Sequence, residues 1–260
     1  MRRVAALAAL LLLASCATTS QEGQRPPSCP VPAPGAPASA PAPASAGTPP
    51  APAWRALLVA GDKASPAFDN GMKTLRARLA ERGLTDIRML SANAGNASAL
   101  ASPANVLRGL HGNPPRACLV YLTSHGSTDG VFLQPGRCSM GSTALDQALS
   151  EGCGNAPTVV VVSACHSGVF LGPAMRKPNR VILTAAAADR VSFGCSADDD
   201  FTYYDQCFLQ QFETATTWRE LAAGARTCVE GLERRLGVRA GSDPQLFVGS
   251  DVAHLRLPGR

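Results

Sequence analysis

The chain of 260 residues is long enough for one ordinary domain with additional segments, or for two small domains. Its 24 basic and 19 acidic side chains give a formal net charge of +5. Because the basic residues form no run and no series of aromatic residues accompanies them, the sequence lacks the features of a nucleic-acid-binding protein. No internal repeat divides the chain.

The first fifteen residues have the pattern of an export signal. Arg2 and Arg3 precede an apolar stretch, 4–13, that is too short to span a membrane. The stretch ends on "LASC", which resembles the bacterial lipoprotein signal, and the resemblance implies that Cys16 carries a lipid. The resemblance also implies that Ala17, the residue after the lipid-bearing cysteine, directs the protein to the outer membrane, where it would face the periplasm or the cell surface. The alternative is an ordinary secretory leader that is cleaved nearby, and both predict export to an oxidising compartment.

Residues 16–53 are dominated by proline, alanine, serine and glycine. Such a segment cannot bury enough apolar surface to fold, so it predicts an extended tether between the lipid and the remaining chain. Cys29 lies within this tether. The folded domain then covers residues 54–260.

Strands and helices alternate in the first half of that domain. "RALLVAG" predicts a buried strand, and "DNGMKTLRARLAERG" predicts an amphipathic helix that ends at Gly83. Met72, Leu75 and Leu79 form the buried side of this helix. A short strand follows at 87–90, then a helix from Pro103 to about residue 110, and a buried strand at 117–123.

The second half continues this alternation after a small hairpin at "DGVFLQPGRCSM". A helix at 141–152 with Ser142 or Thr143 as its cap leads to an apolar strand at 159–162. "RVILTAAAA" and "PQLFVG" predict two further strands, with a polar loop and two helices between them. The predicted fold class is therefore α/β, with a mostly parallel central sheet and helices on both faces.

A histidine and a cysteine follow two of the buried strands. One strand ends in His125-Gly126, and the other ends in Ala164-Cys165. Since the carboxyl ends of parallel strands meet at one edge of a sheet, the imidazole and the thiol are expected to lie side by side. A thiolate is a strong nucleophile for acyl transfer, an imidazole can act as its base, and the N–H groups of Gly126 and Cys165 can stabilise an oxyanion. The alternative is a buried cysteine that acts as a small apolar side chain.

Two sequence blocks, "VYLTSHGSTDGVF" and "VVVVSACHSGVF", resemble the legumain-type (C13 family) cysteine peptidases of the caspase-like group. "LTAAAADRVSFGC" extends the resemblance, which covers the chain from about Trp54 to the last strand. It implies a caspase-hemoglobinase-like fold, with Cys165 as nucleophile and His125 as general base or acid. Peptides or proteins are the implied substrates.

The resemblance also implies where the substrate side chain before the cleaved bond (P1) binds. Ser163, Ser192 and Asp200 would line this pocket, and an acidic pocket suits a basic or amide side chain. The alternative is that Asp198, Asp199 and Asp200 form a solvated turn that caps the next helix.

The sequence departs from the asparagine-specific members of the family at three places. Those members carry a pocket arginine after the first strand, where this chain has only Lys63 nearby. They have acidic residues where Ser163 and His166 stand here. These departures leave asparagine specificity without support from the sequence, and His166 is interpreted as a residue at the rim of the pocket. Adjacent residues at a strand end point apart, so His166 is not expected to serve Cys165.

Nine cysteines in an exported chain suggest disulfides as well as a catalytic thiol. Cys138 with Cys153, and two among Cys195, Cys207 and Cys228, are the expected pairs. Cys118 lies inside a strand and is expected to be a buried free thiol. No C-x-x-C pair or other metal-binding spacing occurs, so the sequence implies no metal and no cofactor.

The sequence thus predicts an exported, membrane-tethered cysteine endopeptidase that acts through a thioester intermediate. A transamidase or ligase would use the same intermediate with an amine in place of water. A non-catalytic binding domain on the same fold is the alternative from another class, and a thiol-redox enzyme is a weaker one without a C-x-x-C motif. The oligomeric state is not predicted.

Overall fold

The computed structural model of the protein describes residues 25–30 and 47–260. The predicted signal peptide at 1–15, Cys16 and much of the tether lie outside the described residues. In the described part of the chain no helix is long and apolar enough to cross a bilayer.

The described residues form ten strands and five α-helices. The strands are β1 (Trp54–Ala60), β2 (Asp86–Ser91), β3 (Ala99–Leu100), β4 (Ala117–Thr123), β5 (Gly126–Ser127), β6 (Gly130–Leu133), β7 (Cys138–Met140), β8 (Thr158–Ser163), β9 (Arg180–Thr184) and β10 (Gln245–Val248). The helices are α1 (Pro66–Glu81), α2 (Pro103–Leu110), α3 (Ser142–Gly152), α4 (Tyr203–Thr214) and α5 (Trp218–Arg235).

Seven of the strands form the central sheet, in the order β10-β9-β8-β4-β1-β2-β3. All neighbours in it are parallel except β10, which runs antiparallel to β9. Every residue of β1, β4 and β8 is buried, because these apolar strands are covered on both faces. The mostly parallel sheet and the α/β fold class predicted from the sequence are confirmed.

The two faces of the sheet carry separate apolar cores. On one face, α1, α4 and α5 pack against the even-numbered side chains of β1, such as Leu58. On the other face, α2 and α3 pack against Leu57 and Val59. Helix α1 buries Met72, Leu75 and Leu79, as its sequence period predicts.

Two helix starts differ from the prediction. Helix α1 begins at Pro66, because Ser65 caps it by accepting a hydrogen bond from the N–H of Ala67 at 3.2 Å. Helix α3 has Gly141 as its N-cap and no side-chain cap, so the prediction of Ser142 or Thr143 as the cap is wrong. Strand β7 ends at Met140, which leaves Gly141 alone to turn the chain into the helix.

Strands β5, β6 and β7 form a separate antiparallel sheet, here called the small sheet. The N-terminal segment, residues 25–30, lies along its edge. The N–H of Cys29 donates to the carbonyl of Ser139, and the N–H of Ser139 donates to the carbonyl of Pro27, both at 2.9 Å. A disulfide joins Cys29 to Cys138. The prediction of an unfolded tether is therefore wrong for this segment, which is part of the domain.

The folded part also begins before residue 54. The indole N–H of Trp54 donates to the carbonyl of Pro49 at 3.0 Å, and the N–H of Arg256 donates to the hydroxyl of Thr48 at 2.8 Å. The first contact fixes Pro49 on β1, and the second binds Thr48 to the last residues of the chain.

The other disulfides also differ in part from the expected pairs. Cys118 bonds to Cys153, so the prediction of a free Cys118 and the predicted Cys138–Cys153 pair are both wrong. Cys207 bonds to Cys228, which agrees with a pair among Cys195, Cys207 and Cys228. The pairing depends on which faces of the fold meet, and the spacing of cysteines along the chain does not carry that information.

Candidate active site

His125 and Cys165 follow two adjacent parallel strands of the central sheet. In the register of β4 and β8, Thr123 lies opposite Ser163, and the N–H of Ser124 donates to the carbonyl of Ser163 at 3.2 Å. His125 and Cys165 thus each come two residues after paired positions. The two side chains that the sequence singled out therefore leave the same edge of the sheet from neighbouring strands.

Gly126 brings the two strand ends into direct contact. A β-carbon at this position would lie 2.3 Å from the carbonyl oxygen of Cys165 and 3.2 Å from its amide nitrogen. Only glycine leaves room for this approach. The backbone of Cys165 occupies the space beside Gly126.

The thiol of Cys165 is buried, with 1% of the residue exposed, and it is the free thiol among the described cysteines. Its Sγ accepts a hydrogen bond from the N–H of Ser192 at 3.2 Å. Burial raises the pKa of the thiol to about 12, although the hydrogen bond from Ser192 favours the thiolate. In the free protein Cys165 therefore carries its proton at neutral pH.

The imidazole of His125 packs against an aromatic ring from another element. The ring of Phe68, in the first turn of α1, lies edge-on to it with the ring centres 5.2 Å apart. Phe68 itself is buried, so the first turn of α1 forms an apolar support for the histidine. Phe68 has the spacing of an ordinary core residue of α1, so its sequence position does not single it out.

His166 is held by the loop after β9. Its backbone has φ 56° and ψ 15°, a left-handed conformation that is uncommon for a residue with a side chain. Its N–H donates to the carbonyl of Arg190 at 2.8 Å, and its Nδ1 lies 3.0 Å from the carbonyl oxygen of Ala188. The left-handed residue therefore begins a short 3-10 helix, Ser167–Leu171, directly after Cys165.

The predicted pocket residues lie at different depths around Cys165. The backbone of Ser192 contacts the thiol, and its side chain is buried. Ser163 is also buried, and its hydroxyl lies 3.3 Å from the hydroxyl of Thr202. Asp200 is exposed, and its carbonyl accepts a hydrogen bond from the side chain of Asn70 at 3.0 Å. The structure thus brings Ser192 to the nucleophile and leaves the side chain of Asp200 facing solvent.

The three consecutive aspartates do not cap the helix that follows. Asp199 accepts hydrogen bonds from the N–H and the hydroxyl of Ser196, at 2.8 and 2.6 Å, and closes a local turn. The N-cap of α4 is Thr202, whose hydroxyl accepts from the N–H of Asp205. Asp199 therefore forms a local turn, as the alternative expectation for the three aspartates has it. The part of that expectation that concerns capping is wrong, because Thr202 caps α4.

Two polar residues near the site were missed by the sequence analysis. Asn70 fixes the loop of Asp200 from α1, and Asp205 lies fully buried at the start of α4. The signal for Asn70 is its place in the helix that directly follows β1, at the ligand-binding edge of the sheet. The signal for Asp205 is an acidic residue among Tyr204, Cys207 and Phe208, at a buried position of the helix.

The comparisons with known proteins show the family and the fold of the chain. The model of the peptidase C13 family matches residues 79–226, a range that includes both His125 and Cys165. A solved structure, that of caspase-1 from Spodoptera frugiperda, superposes with a TM-score of 0.55 at 11% sequence identity. The match covers 87% of this chain and 97% of the caspase chain, and it shows the caspase-like fold. A search of the curated proteins finds no match.

Proposed function

Because the chain belongs to the peptidase C13 family and is a cysteine-type peptidase, we propose that it is an endopeptidase whose catalytic residues are Cys165 and His125. The observation that carries this proposal is the contact between Gly126 and the backbone of Cys165, since it joins the ends of the strands that bear the two residues. The arrangement suits attack by the Sγ atom on a peptide carbonyl carbon, with the imidazole on the neighbouring strand end as its base.

The proposed reaction has two stages. In the first, His125 takes the proton of Cys165, Sγ bonds to the carbonyl carbon, and the peptide C–N bond breaks as His125 returns the proton to the leaving amine. In the second, a water molecule gives a proton to His125, attacks the thioester and releases the carboxylic acid, and the proton returns to Sγ. His125 is neutral at the beginning and at the end of each stage, and Cys165 alternates between a neutral thiol and a neutral thioester.

The raised pKa of Cys165 favours a proton transfer that is coupled to attack. A buried thiol with a pKa of about 12 does not form a stable thiolate in the free protein. His125 would then act as general base when the substrate carbonyl is already in place. The N–H groups of Gly126 and Cys165 are proposed to bind the oxyanion that forms in each stage.

The proposed P1 pocket is formed by Ser163, Ser192 and Asp200. The contact of the Ser192 backbone with Sγ supports a role of this segment beside the reacting carbon. The exposed carboxylate of Asp200, on a loop that Asn70 holds, supports a preference for a basic or amide side chain at P1. His166 is proposed to lie at the rim of the same pocket.

Peptide cleavage by the intact chain tests the proposal. The protein used must retain Cys29, because a truncated chain that starts at Trp54 would leave Cys138 without its partner. Wild-type protein, Cys165→Ala and His125→Ala would be incubated with a peptide library varied at P1, with and without an added amine, and the products read by mass spectrometry. We expect hydrolysed peptides from the wild type only, and aminated products alone would identify a transamidase.

Two results would contradict the proposal. Cleavage by Cys165→Ala at the wild-type rate would exclude this residue as the nucleophile. No cleavage by a folded wild type across the library would favour the non-catalytic binding domain. Thermal unfolding curves of all three proteins provide the control for folding.

We also propose that the protein is exported and tethered to the membrane through a lipid on Cys16, with the outer membrane as its location. The support is indirect: three disulfides join described cysteines, and such bonds persist in oxidising compartments. Fractionation of cells that express the wild type or Cys16→Ala tests the anchor. We expect the wild type in the membrane fraction and the variant in the soluble fraction, whereas a soluble wild type would support the ordinary secretory leader.

A further inference from the structure

A buried carboxyl group lies beneath the proposed catalytic residues. Asp205, in the first turn of α4, has no exposed surface. The groups around its carboxyl are hydroxyls, those of Tyr121, Ser163, Thr123 and Thr202, and burial raises its pKa in spite of them. A buried carboxyl costs stability that an apolar side chain of similar size would not. Its presence at this position therefore calls for an explanation.

The carboxyl group binds the end of the strand that carries His125. The hydroxyl of Thr123 donates to Oδ2 of Asp205 at 2.8 Å, and Thr123 is the last residue of β4. This hydrogen bond is buried and lies only two residues before His125. It fixes the last side chain of the strand from the side of α4.

The same turn of α4 also contacts the end of the strand that carries Cys165. The hydroxyl of Thr202 accepts a hydrogen bond from the N–H of Asp205 at 2.9 Å and lies 3.3 Å from the hydroxyl of Ser163. Ser163 is the last residue of β8, two residues before Cys165. One helical turn therefore touches both strand ends through polar atoms.

Helix α1 closes the space on the remaining side. A β-carbon at Gly71 would lie 2.7 Å from the hydroxyl oxygen of Tyr121 and 3.2 Å from Oδ2 of Asp205. Any larger residue at position 71 would displace these groups. The absence of a side chain at Gly71 thus leaves room for the carboxyl of Asp205 and the hydroxyl of Tyr121.

We infer that Asp205 is a positioning residue for the peptidase site, which holds the ends of β4 and β8 together and so sets the relative placement of His125 and Cys165. The inference rests on the proposed roles of those two residues. The carboxyl of Asp205 acts on the two strand ends through the hydroxyls of Thr123 and Ser163, while its backbone N–H binds the hydroxyl of Thr202. The competing explanation is purely structural, since an acidic residue in the first turn also stabilises a helix through its dipole.

Two threonines provide a matched comparison for the test. Thr202 and Thr217 are both helix N-caps, and each accepts a hydrogen bond from the backbone N–H three residues later, at 2.9 and 3.2 Å. Only Thr202 also contacts a strand end that leads to the proposed site. Thr202→Val and Thr217→Val should therefore cost similar stability, about 1 kcal/mol each for a lost cap, and differ in their effect on the site.

The experiment measures kcat and KM for the full chain as wild type, Asp205→Ala, Asp205→Asn, Thr202→Val and Thr217→Val. We expect Asp205→Ala to lower kcat by about 10- to 100-fold with little change in KM, because misplacement of reacting groups acts on the chemical step. Asp205→Asn keeps an oxygen that accepts from Thr123 and should retain most of the activity. Thr202→Val should lower kcat several-fold, and Thr217→Val should leave it unchanged.

A second measurement does not depend on peptide cleavage. The rate at which iodoacetamide alkylates Cys165 would be compared with and without His125→Ala, first in the wild type and then in Asp205→Ala, as a double-mutant cycle. We expect His125→Ala to change the rate in the wild type and to change it much less in Asp205→Ala. Unfolding curves for each protein show that the variants fold.

The outcomes separate this inference from the proposed function. If wild-type protein cleaves peptides and Asp205→Ala keeps both kcat and the coupling between His125 and Cys165, the positioning role is wrong while the catalytic residues stand. If Thr202→Val and Thr217→Val lower kcat equally, the effect is one of stability and the role is again wrong. If the wild type cleaves no peptide and His125→Ala does not affect alkylation of Cys165, both proposals fail.

Discussion

The backbone N–H of Ser192 points at the Sγ atom of Cys165 from 3.2 Å. This hydrogen bond favours a thiolate, but burial of the thiol has the larger effect and raises its pKa to about 12. These two effects on the pKa determine what fraction of Cys165 is the reactive thiolate in the free protein. At neutral pH nearly all of the molecules carry a protonated thiol.

The alkylation of Cys165 should therefore be slow at pH 7 and rise steeply with pH. Below the pKa of a thiol, the thiolate fraction grows about tenfold for each pH unit. We expect the rate with iodoacetamide to increase without a plateau between pH 6 and pH 9, measured as the labelled fraction by mass spectrometry. A small-molecule thiol serves as the reference, and a plateau below pH 8 would instead indicate a stable thiolate beside a protonated His125.

Gly126→Ala should remove peptidase activity more than stability. The added methyl group would lie 2.3 Å from the carbonyl oxygen of Cys165, so one of the two strand ends must move. Overpacking of this kind costs about 1–3 kcal/mol, and a displacement of about 1 Å at reacting groups lowers kcat by about 100-fold. Cleavage kinetics and urea unfolding measure the two effects.

Gly95→Ala is the control for this change. Its nearest neighbour would be the side chain of Asn93 at 3.7 Å, an ordinary contact, in the loop between β2 and β3. We expect neither activity nor stability to change. Wild-type kcat in Gly126→Ala would show that the approach of the two strand ends does not matter for the reaction.

Loss of the Cys29–Cys138 disulfide should affect both stability and activity. The bond closes a segment of 109 residues, and it holds the N-terminal segment on the small sheet, which continues from His125. Cys29→Ala with Cys138→Ala should lower the free energy of unfolding by about 2–5 kcal/mol. We expect kcat to fall as well, because the N–H of Phe132 in β6 binds the carbonyl of His125.

The Cys207–Cys228 disulfide offers a contrast, since it links α4 to α5 and does not involve the small sheet. Cys207→Ala with Cys228→Ala should lower stability by a similar amount, about 2–3 kcal/mol for a shorter loop, and leave kcat near the wild-type value. Equal loss of activity in both double variants would mean that the first disulfide acts only through global stability.

The ion pair of Asp146 with Arg180 should make stability depend on acid pH. Asp146 Oδ1 lies 2.7 Å from Nη1 of Arg180, which is buried, and 2.6 Å from Nζ of Lys177. Although burial raises the pKa of Asp146, the hydrogen bond from Lys177 and the charge of Arg180 together hold it below the usual 3.8. A lowered pKa in the folded state stabilises the protein above pH 3.8, and this contribution is lost as the pH falls through the folded pKa.

Asp146→Asn should therefore reduce the free energy of unfolding by about 2 kcal/mol at pH 7, since it leaves the guanidinium of Arg180 buried without its charged partner. The difference from wild type should shrink near pH 3, where the wild-type carboxyl is also becoming protonated. Urea unfolding at both pH values measures it. Glu230→Gln, in an exposed pair with Arg226, should cost less than about 0.5 kcal/mol at either pH.

The arrangement of His125 and Cys165 on adjacent strands could be predicted from the sequence because both follow short apolar runs. In a parallel sheet such runs end at one edge, so the order of residues along two strands already predicts a shared site. The match of the predicted and observed bounds of β4, residues 117–123, has the same origin.

The cysteine pairs and the support beneath the site could not be predicted in the same way. Cys29 stands in a proline-rich segment whose composition indicates an unfolded tether, and only its meeting with β7 makes it part of the domain. Asp205 looks like one more polar residue at a helix start. Its contact with Thr123 joins positions 82 residues apart, and no local pattern encodes a contact at that separation.

The disulfide at Cys29 also decides how a mechanical load would enter the domain. Within the described residues, a pull on the amino end of segment 25–30 passes at Cys29 through the covalent bond into β7, before it reaches β1. The central sheet, with β1 near its middle, is bypassed. The force would bear on the small sheet and on the segment after His125, so tension along the chain and the geometry of the histidine are mechanically connected.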